Sequence, residues 1–407
     1  MVTSYPPIEA GESSYAASYV NALQTYLKKE FTEIHILSPL DDKERKENIS
    51  TNDGKVKVYR LFDSHSLFDK SISFLKLFRK IKQIHPDIVH FYYAPIPKSK
   101  FGGLLGEPLL ILFLMLKIIR IPFFVTLFSV WYPDQIEPRA YELTKNRLLS
   151  KLAKQYFKAL MYFFGKLPNR LFIIVTAKNS KIIRSFSQAY HIPSDNVKEE
   201  LHGIWRYDKL AKGNIELNPK RIVCLGFIVP NKGYEYVLLA MNTVLKKIPD
   251  ASLVIAGSTI SVEGKEYFKK LRRMSSELCL ERSVKIEERY LSENEFTRYI
   301  TTAGVVILPY VRALGASGIM SLALSHRIPV IVAGSGPLFE EVSDIVSVVP
   351  PMNADALADE IIKLLGSTEY RTTLLGNSEK YISEHDWAVV ARETYEEYIK
   401  QINIKND

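Results

Sequence analysis

Short apolar runs alternate along the whole chain with longer stretches in which hydrophobic residues return every three or four positions. The short runs have the length of strands, and the longer ones carry the period of a helix with one buried face. The pattern predicts strands at Ile34–Ser38, Val56–Leu61, Asp87–Tyr92, Phe123–Phe128 and Leu171–Thr176. A second series follows at Arg221–Leu225, Ser252–Ala256, Val284–Ile286, Val305–Leu308, Pro329–Val332 and Ile345–Val349. Nearly continuous apolar strands separated by helical stretches mean parallel sheets covered on both faces by crossover helices. The series restarts near residue 220, after the polar segment Asp208–Pro219, so two α/β domains are expected. The first spans 1–205 and the second 206–385, with 386–407 a terminal helix crossing back to the first. The opening strand reads as short, because Met1–Ser4 reaches the first turn at once.

Two segments depart from this regular pattern. Pro108–Arg120 is the most apolar, but Lys117, Arg120 and Pro122 interrupt it. Its uninterrupted part is far below the roughly 20 residues a membrane span needs. It reads as a buried crossover helix, with a shallow membrane-contacting helix as the alternative. Asn146–Phe164 interleaves Arg147, Lys151, Lys154 and Lys158 with Leu148, Leu149, Leu152, Phe157, Leu160, Met161 and Phe164. Such a basic amphipathic helix either packs its stripe on its own domain or lies on an anionic membrane surface.

Composition adds a compartment and a polarity. The 407 residues are 47% hydrophobic and 24% charged, which suits two packed cores and excludes a disordered chain. Cys224 and Cys279 are the two cysteines, in no metal-ligand spacing, so a reducing, cytoplasmic setting is expected. Met1-Val-Thr-Ser-Tyr-Pro-Pro has neither the charged start nor the apolar run of a secretory signal. The net charge of +9 is one-sided: residues 1–205 hold 29 Lys/Arg against 19 Asp/Glu, and 206–407 hold 25 against 26. Between Tyr141 and Ser185 ten basic residues meet one acid, Glu142. That field suits an anionic partner such as a lipid headgroup, a lipid pyrophosphate or nucleic acid, and its bland alternative is a solvated basic face. No nucleic-acid-binding module accompanies it, so nucleic acid is not expected as a partner.

Three strand–turn–helix junctions carry candidate chemistry. Tyr5-Pro-Pro-Ile-Glu-Ala-Gly11 precedes the helical stretch Ser13–Leu23, presenting backbone N–H groups to an anion, with Gly11 allowing close approach. Cys224-Leu-Gly226-Phe-Ile-Val-Pro-Asn-Lys232-Gly233 runs into the helical Tyr234–Leu245. It sets an ammonium and free N–H groups at the carboxyl edge of a sheet, where open α/β sheets bind ligands. Leu308-Pro-Tyr-Val-Arg312-Ala-Leu-Gly315-Ala-Ser317-Gly318 repeats the theme. Ser317 offers a hydroxyl there and Arg312 a bidentate phosphate contact. After Arg327-Ile-Pro-Val-Ile-Val-Ala, a glycine-rich turn carries Glu340 and Glu341. Each junction alone has a structural alternative, a capped helix beside a solvent-exposed side chain.

Together the elements resemble the retaining GT-B glycosyltransferases of family 4, which include bacterial and archaeal lipid-linked sugar transferases. Tyr5-Pro6-Pro7 with Ala10-Gly11 is similar to the family's opening. Gly226…Lys232-Gly233, Leu253-Val-Ile-Ala-Gly257 and Leu308-Pro-Tyr310…Pro329-Val-Ile331 are similar to its central elements. Val348-Val-Pro-Pro…Ala356-Leu-Ala-Asp-Glu-Ile-Ile and Trp387…Tyr395 are similar to its tail. The departures are specific. The family's paired glutamates fall on Leu314 and Leu322, its arginine after Gly226 on Phe227, and a frequent histidine on Phe128. Ala316-Ser317-Gly318 resembles the Ser-Gly loop of a subset of the family.

The resemblance implies two Rossmann-like parallel-sheet domains facing a cleft, the second holding a nucleotide sugar. Gly226, Lys232, Arg312, Ser317, Gly318, Glu340 and Glu341 would bind the donor, with Gly11 and His202 on the acceptor side. Transfer of a hexosyl unit to a lipid-linked or cell-surface glycan would retain configuration. It would need neither metal nor other cofactor, since side chains and helix dipoles stabilise the leaving diphosphate. The protein would be cytoplasmic or peripheral on the inner face of the membrane, touching it through 146–164. No nucleophile is identifiable. Two other readings share the architecture: a nucleotide-sugar epimerase, for which no acid/base set converges, and a non-catalytic nucleotide-sugar-binding relative, which Leu314 and Leu322 suggest. His90, at the end of an apolar strand, reads as structural. No His/Asp/Glu cluster has metal-ligand spacing.

Overall fold

The computed structural model describes residues 1–8, 11–40, 48–50, 55–62, 67–93, 107–175, 181–205, 218–259, 261–311, 317–334 and 342–406. The backbone separates into two compact units. The first takes Met1–Leu201 and Trp387–Asp407, the second His202–Ala313 and Ser317–Asp386.

In the first unit the strands are β1 (Ile34–Pro39), β2 (Asn48–Ser50), β3 (Val56–Phe62), β4 (Val89–Tyr93), β5 (Phe123–Leu127), β6 (Arg170–Val175) and β7 (Val197–Leu201). The helices are α1 (Gly11–Tyr26), α2 (Leu67–Ile84), α3 (Glu107–Ile118), α4 (Pro133–Thr144), α5 (Arg147–Lys166) and α6 (Lys181–Tyr190). Strands β1, β3 and β2 form one sheet segment and β4–β7 another. Val2 forms single parallel bridges to Leu37 and Phe91 and so stands between β1 and β4. All pairings here are parallel except β2 with β3.

The second unit alternates strand and helix as far as β12: β8 (Arg221–Leu225), α7 (Tyr234–Lys247), β9 (Ser252–Gly257), α8 (Val262–Glu277), β10 (Val284–Glu288), α9 (Glu293–Thr301), β11 (Val305–Leu308), α10 (Gly318–Ser325) and β12 (Val330–Ala333), with β13 (Ser347–Val349) the last strand. Helices α11 (Ala354–Gly366) and α12 (Thr368–Glu384) complete it, and α13 (Trp387–Asn406) belongs to the first unit. Its six strands are parallel in the order β10-β9-β8-β11-β12-β13. Successive side chains of a strand point to opposite faces. Ile222 and Cys224 accordingly enter one core with Leu253, Ile255, Val305 and Ile307, while Val223 and Leu225 enter the other with Val306, Leu308, Val330 and Val332. Burial on both faces is why these strands read as unbroken apolar runs. The strand order reverses direction between β8 and β11, and the crevice beyond the carboxyl ends of such strands is where open sheets take ligands.

Packing alters two expectations and decides part of a third. Val197-Lys-Glu-Glu-Leu was not expected as a strand, yet it pairs along β6 with Glu200 turned inward. Helix α3 is not wholly buried: Leu109, Leu112, Phe113 and Leu116 face the core, while Ile111, Leu114 and Ile118 are exposed. Helix α5 does not present one continuous apolar stripe to a surface, because Phe157, Leu160, Met161 and Phe164 are buried in the unit itself.

Candidate functional site

Two of the sequence motifs meet at the reversal point of the second sheet. Strand β8 ends at Leu225, and Gly226 turns the chain with φ +115°, a conformation glycine adopts without strain. The Tyr234 hydroxyl donates to the Leu225 carbonyl at 3.2 Å and fixes this turn from the start of α7. Pro230–Lys232 forms one short 3-10 turn, closed by Gly233 at φ +69°. A side chain at Gly233 would stand 2.1 Å from the Pro309 carbonyl oxygen. That approach seats the lysine loop against the segment leaving β11, where the Val311 N–H donates to the Asn231 carbonyl at 3.0 Å.

The side chains converge in the same place. The Lys232 ammonium lies 4.4 Å from the centroid of the Tyr310 ring. The Tyr310 hydroxyl is 2.9 Å from Ser317 Oγ. Ser317 is the N-cap of α10, and its Oγ accepts from the Met320 N–H at 3.3 Å. The next residue, Gly318, leaves space that a Cβ would fill at 3.3 Å from His202 Nε2. A lysine, a ring, a hydroxyl and a helix N-terminus therefore line one edge of the sheet. The first N–H groups of a helix lack intrahelical partners, and its dipole is positive at that end, so the arrangement favours an anion.

His202, expected on the acceptor side, lies in the second unit beside Gly318. Burial pulls its imidazole down to about 4, so it is neutral at physiological pH. Its Nδ1 is 3.3 Å from the Gly203 carbonyl. Gly11 opens α1 in the first unit, and nothing lies within 4 Å of where its Cβ would be. Arg312, Glu340 and Glu341 lie outside the described residues, as does Leu314. Leu322 packs partly buried against the core of the second unit. Tyr310 was not singled out as a site residue. Its signal was its place, two residues beyond an apolar strand end and facing the lysine loop. Among the described residues no group of three or more His, Cys, Asp or Glu could hold a metal ion.

The first unit contains a separate buried polar network. Glu200 accepts from the Tyr15 hydroxyl at 2.6 Å and from Thr126 Oγ1 at 2.8 Å. His90 Nε2 is 2.7 Å from Thr126 Oγ1, and His90 Nδ1 meets the Tyr398 hydroxyl. The network ties α1, β4, β5, β7 and α13 together. His90 is structural here, as its place in the strand implies: burial holds its pKa well below the ordinary value. Burial lifts Glu200 to about 7 against the opposing pull of its two hydroxyl donors.

Comparison with known proteins fits this geometry. Residues 206–381 match the family described as glycosyl transferases group 1. Over 175 residues, 41% of the chain, the sequence is 28% identical to the GDP-mannose-dependent alpha-(1-6)-phosphatidylinositol monomannoside mannosyltransferase of Mycolicibacterium smegmatis. The matched stretch spans 44% of that relative's length. Solved structures agree over almost the whole chain. A glycosyltransferase from Rickettsia africae ESF-5 superposes with a TM-score of 0.70 at 15% identity, covering 98% of both chains. Anabaena Alr3699/HepE in complex with UDP gives 0.68 at 13% identity, covering 98% of this chain and 99% of the other. Residues 206–381 thus carry the glycosyl transferases group 1 match, and the fold of the chain is that of the GT-B glycosyltransferases.

Proposed function

We propose that the protein transfers a hexosyl unit from a nucleotide sugar to a lipid-linked or cell-surface glycan, with retention of configuration. The observation that carries this reading is the convergence of Lys232, Tyr310, Ser317 and Gly318 at the reversal point of the second sheet. The donor diphosphate lies against the α10 N-terminus, with Lys232 neutralising its charge and the Ser317 hydroxyl donating to an oxygen. His202 flanks the same helix start, and Arg312, Glu340 and Glu341 complete the donor side. The acceptor supplies the attacking hydroxyl. Its oxygen forms a bond to the sugar C1 as the bond from C1 to the phosphate oxygen breaks. The acceptor's proton passes to the leaving diphosphate, so no separate general base is needed. Neither a metal nor another cofactor takes part.

Two facts support the choice of substrates. A relative of the chain is named as a mannosyltransferase acting on a phosphatidylinositol mannoside, and a structural neighbour holds UDP. Leu314 and Leu322, in place of acidic residues, favour a second reading, a non-catalytic nucleotide-sugar-binding protein. One experiment addresses both. The purified protein is melted with a panel of UDP- and GDP-sugars, with and without EDTA, and donor hydrolysis is followed in parallel. A single donor that raises the melting temperature with EDTA present, and is slowly hydrolysed, is the expected result. Stabilisation without hydrolysis, even with glycolipid acceptors added, would favour the binding protein. No response to any donor would remove both.

A further inference from the structure

Helices α4 and α5 form an antiparallel hairpin. Lys145 ends α4 in the left-handed region with φ +53°, its N–H donating to the Tyr141 carbonyl at 2.8 Å. Asn146 starts α5 at once, its side chain accepting from the N–H groups of Leu148 and Leu149 at 2.9 and 3.1 Å. Farther from the turn, Lys154 bridges back to Glu137 at 3.0 Å. The second half of α5 buries Phe157, Leu160, Met161 and Phe164 in the core of the unit and leaves Tyr162 and Phe163 exposed. Its first two turns do the opposite: Leu148, Leu149 and Leu152 are 67%, 49% and 56% exposed, and Tyr141 across the turn is exposed too.

A capped, well-made tip has no structural reason to hold three leucines in water. Exposed apolar clusters of this kind mark contact surfaces. The charge around the cluster names the partner. Lys145, Arg147 and Lys151 are exposed among these leucines. Of the described carboxylates on α4, Asp134 sits in the first turn, far from the tip, and Glu137 is bridged to Lys154. The sequence from Tyr141 to Ser185 holds one acid, Glu142, against ten basic residues. Apolar side chains that enter the acyl boundary, ringed by cations that meet phosphate headgroups, are the requirements of an anionic bilayer. No helix among the described residues is long and apolar enough to cross a membrane, so the contact is peripheral.

We propose that the α4–α5 tip inserts end-on into an anionic phospholipid surface, with Leu148, Leu149 and Leu152 entering the acyl boundary and Lys145, Arg147 and Lys151 engaging headgroups. This differs from the sequence expectation of a helix lying flat along 146–164, because Phe157, Leu160, Met161 and Phe164 of that stripe are already buried. The inference stands apart from the transferase reading, since vesicle binding is measured without nucleotide or acceptor.

The full chain is sedimented with phosphatidylcholine vesicles and with vesicles containing about a third phosphatidylserine. Binding to the anionic vesicles alone, released by high salt, is expected. Each basic residue near the surface is worth about fivefold, so Lys145→Gln, Arg147→Gln and Lys151→Gln together should weaken binding by about a hundredfold. Melting curves of the triple variant verify that it is folded. Depth is read by brominated lipids: Leu149→Trp gains fluorescence that these lipids quench, while Tyr162→Trp at the far end of α5 gains fluorescence that they do not. Equal quenching at both positions would overturn end-on insertion in favour of a flat helix. Indifference to lipid charge or to the triple substitution would overturn the proposal altogether. So would a dimer in light scattering that Leu148→Ser, Leu149→Ser and Leu152→Ser abolish, which would assign the tip to a second copy of the chain.

Discussion

Lys232 and Gly233 are neighbours with separable tasks. The lysine points its ammonium over Tyr310 at a helix start, and the glycine lets the loop that carries it close on Pro309. Removing the ammonium deletes one charge-assisted contact to a diphosphate, an interaction worth roughly 1.5–3 kcal/mol. Lys232→Ala should therefore weaken donor binding roughly 10- to 100-fold in calorimetry with an unchanged melting temperature; unaltered affinity would take Lys232 out of the site. Gly233→Ala should behave in the reverse order, failing in the fold first. Its methyl meets a backbone oxygen at 2.1 Å, and the positive φ adds a further penalty of roughly 1–2 kcal/mol. We expect a loss of at least about 2 kcal/mol, seen as a drop of roughly 4–8 °C in melting temperature. A variant that melts like the wild type would mean that this loop shifts freely.

At the scale of elements, the Glu200 network makes the attachment of α13 to the first sheet depend on protons. The carboxyl is buried, and its folded pKa is raised to about 7 from 4.5. Between those values the folded state holds a proton that the unfolded state has released, so stability falls as pH rises. The contribution is full below about 4.5 and lost above about 7, and spans about 3 kcal/mol. His90 works in the opposite direction over an overlapping range, since its buried ring stays neutral while the unfolded chain protonates. The comparison must therefore keep His90 in place. Relative to Glu200→Gln, the wild type should lose melting temperature from pH 5 to pH 7.5; parallel profiles would mean the carboxylate is ionised and satisfied by Tyr15 and Thr126 alone. This network also shows where sequence reading stops. The strands β8, β9, β11 and β12 of the second unit were legible almost to the residue, because both faces of the sheet are covered there and each is a largely apolar run. Strand β7 was not, since Val-Lys-Glu-Glu-Leu looks solvated until Tyr15 and Thr126, distant in sequence, supply the hydroxyls that let Glu200 turn inward. The same reason hid Tyr310, whose role depends on Lys232 lying over its ring. The glycines and Ser317 were legible because turns and caps are local chemistry. The neighbour of His202 was not legible, as its approach to Gly318 joins residues more than a hundred positions apart.

For the whole molecule, the second unit takes His202–Ala313 and Ser317–Asp386, and it owns a core on each face of its sheet. The described members of the proposed donor site, Gly226, Lys232, Ser317, Gly318 and His202, all belong to it. The basic excess does not: it lies in residues 1–205, together with the exposed leucines of the α4–α5 tip. Donor capture and surface attachment are thus assigned to different halves of one chain, and the halves can be separated. A fragment of residues 202–386 should fold with a single cooperative melt and bind the donor nucleotide within about tenfold of the full chain, that is within about 1.4 kcal/mol. It should also show no affinity for anionic vesicles. A folded fragment whose nucleotide affinity falls by more than about a hundredfold would mean that the first unit supplies a donor contact. Gly11, at the open start of α1, and the Tyr5–Pro7 loop before it would then be the first positions to substitute, because that helix start is the other anion-favouring feature the sequence singled out.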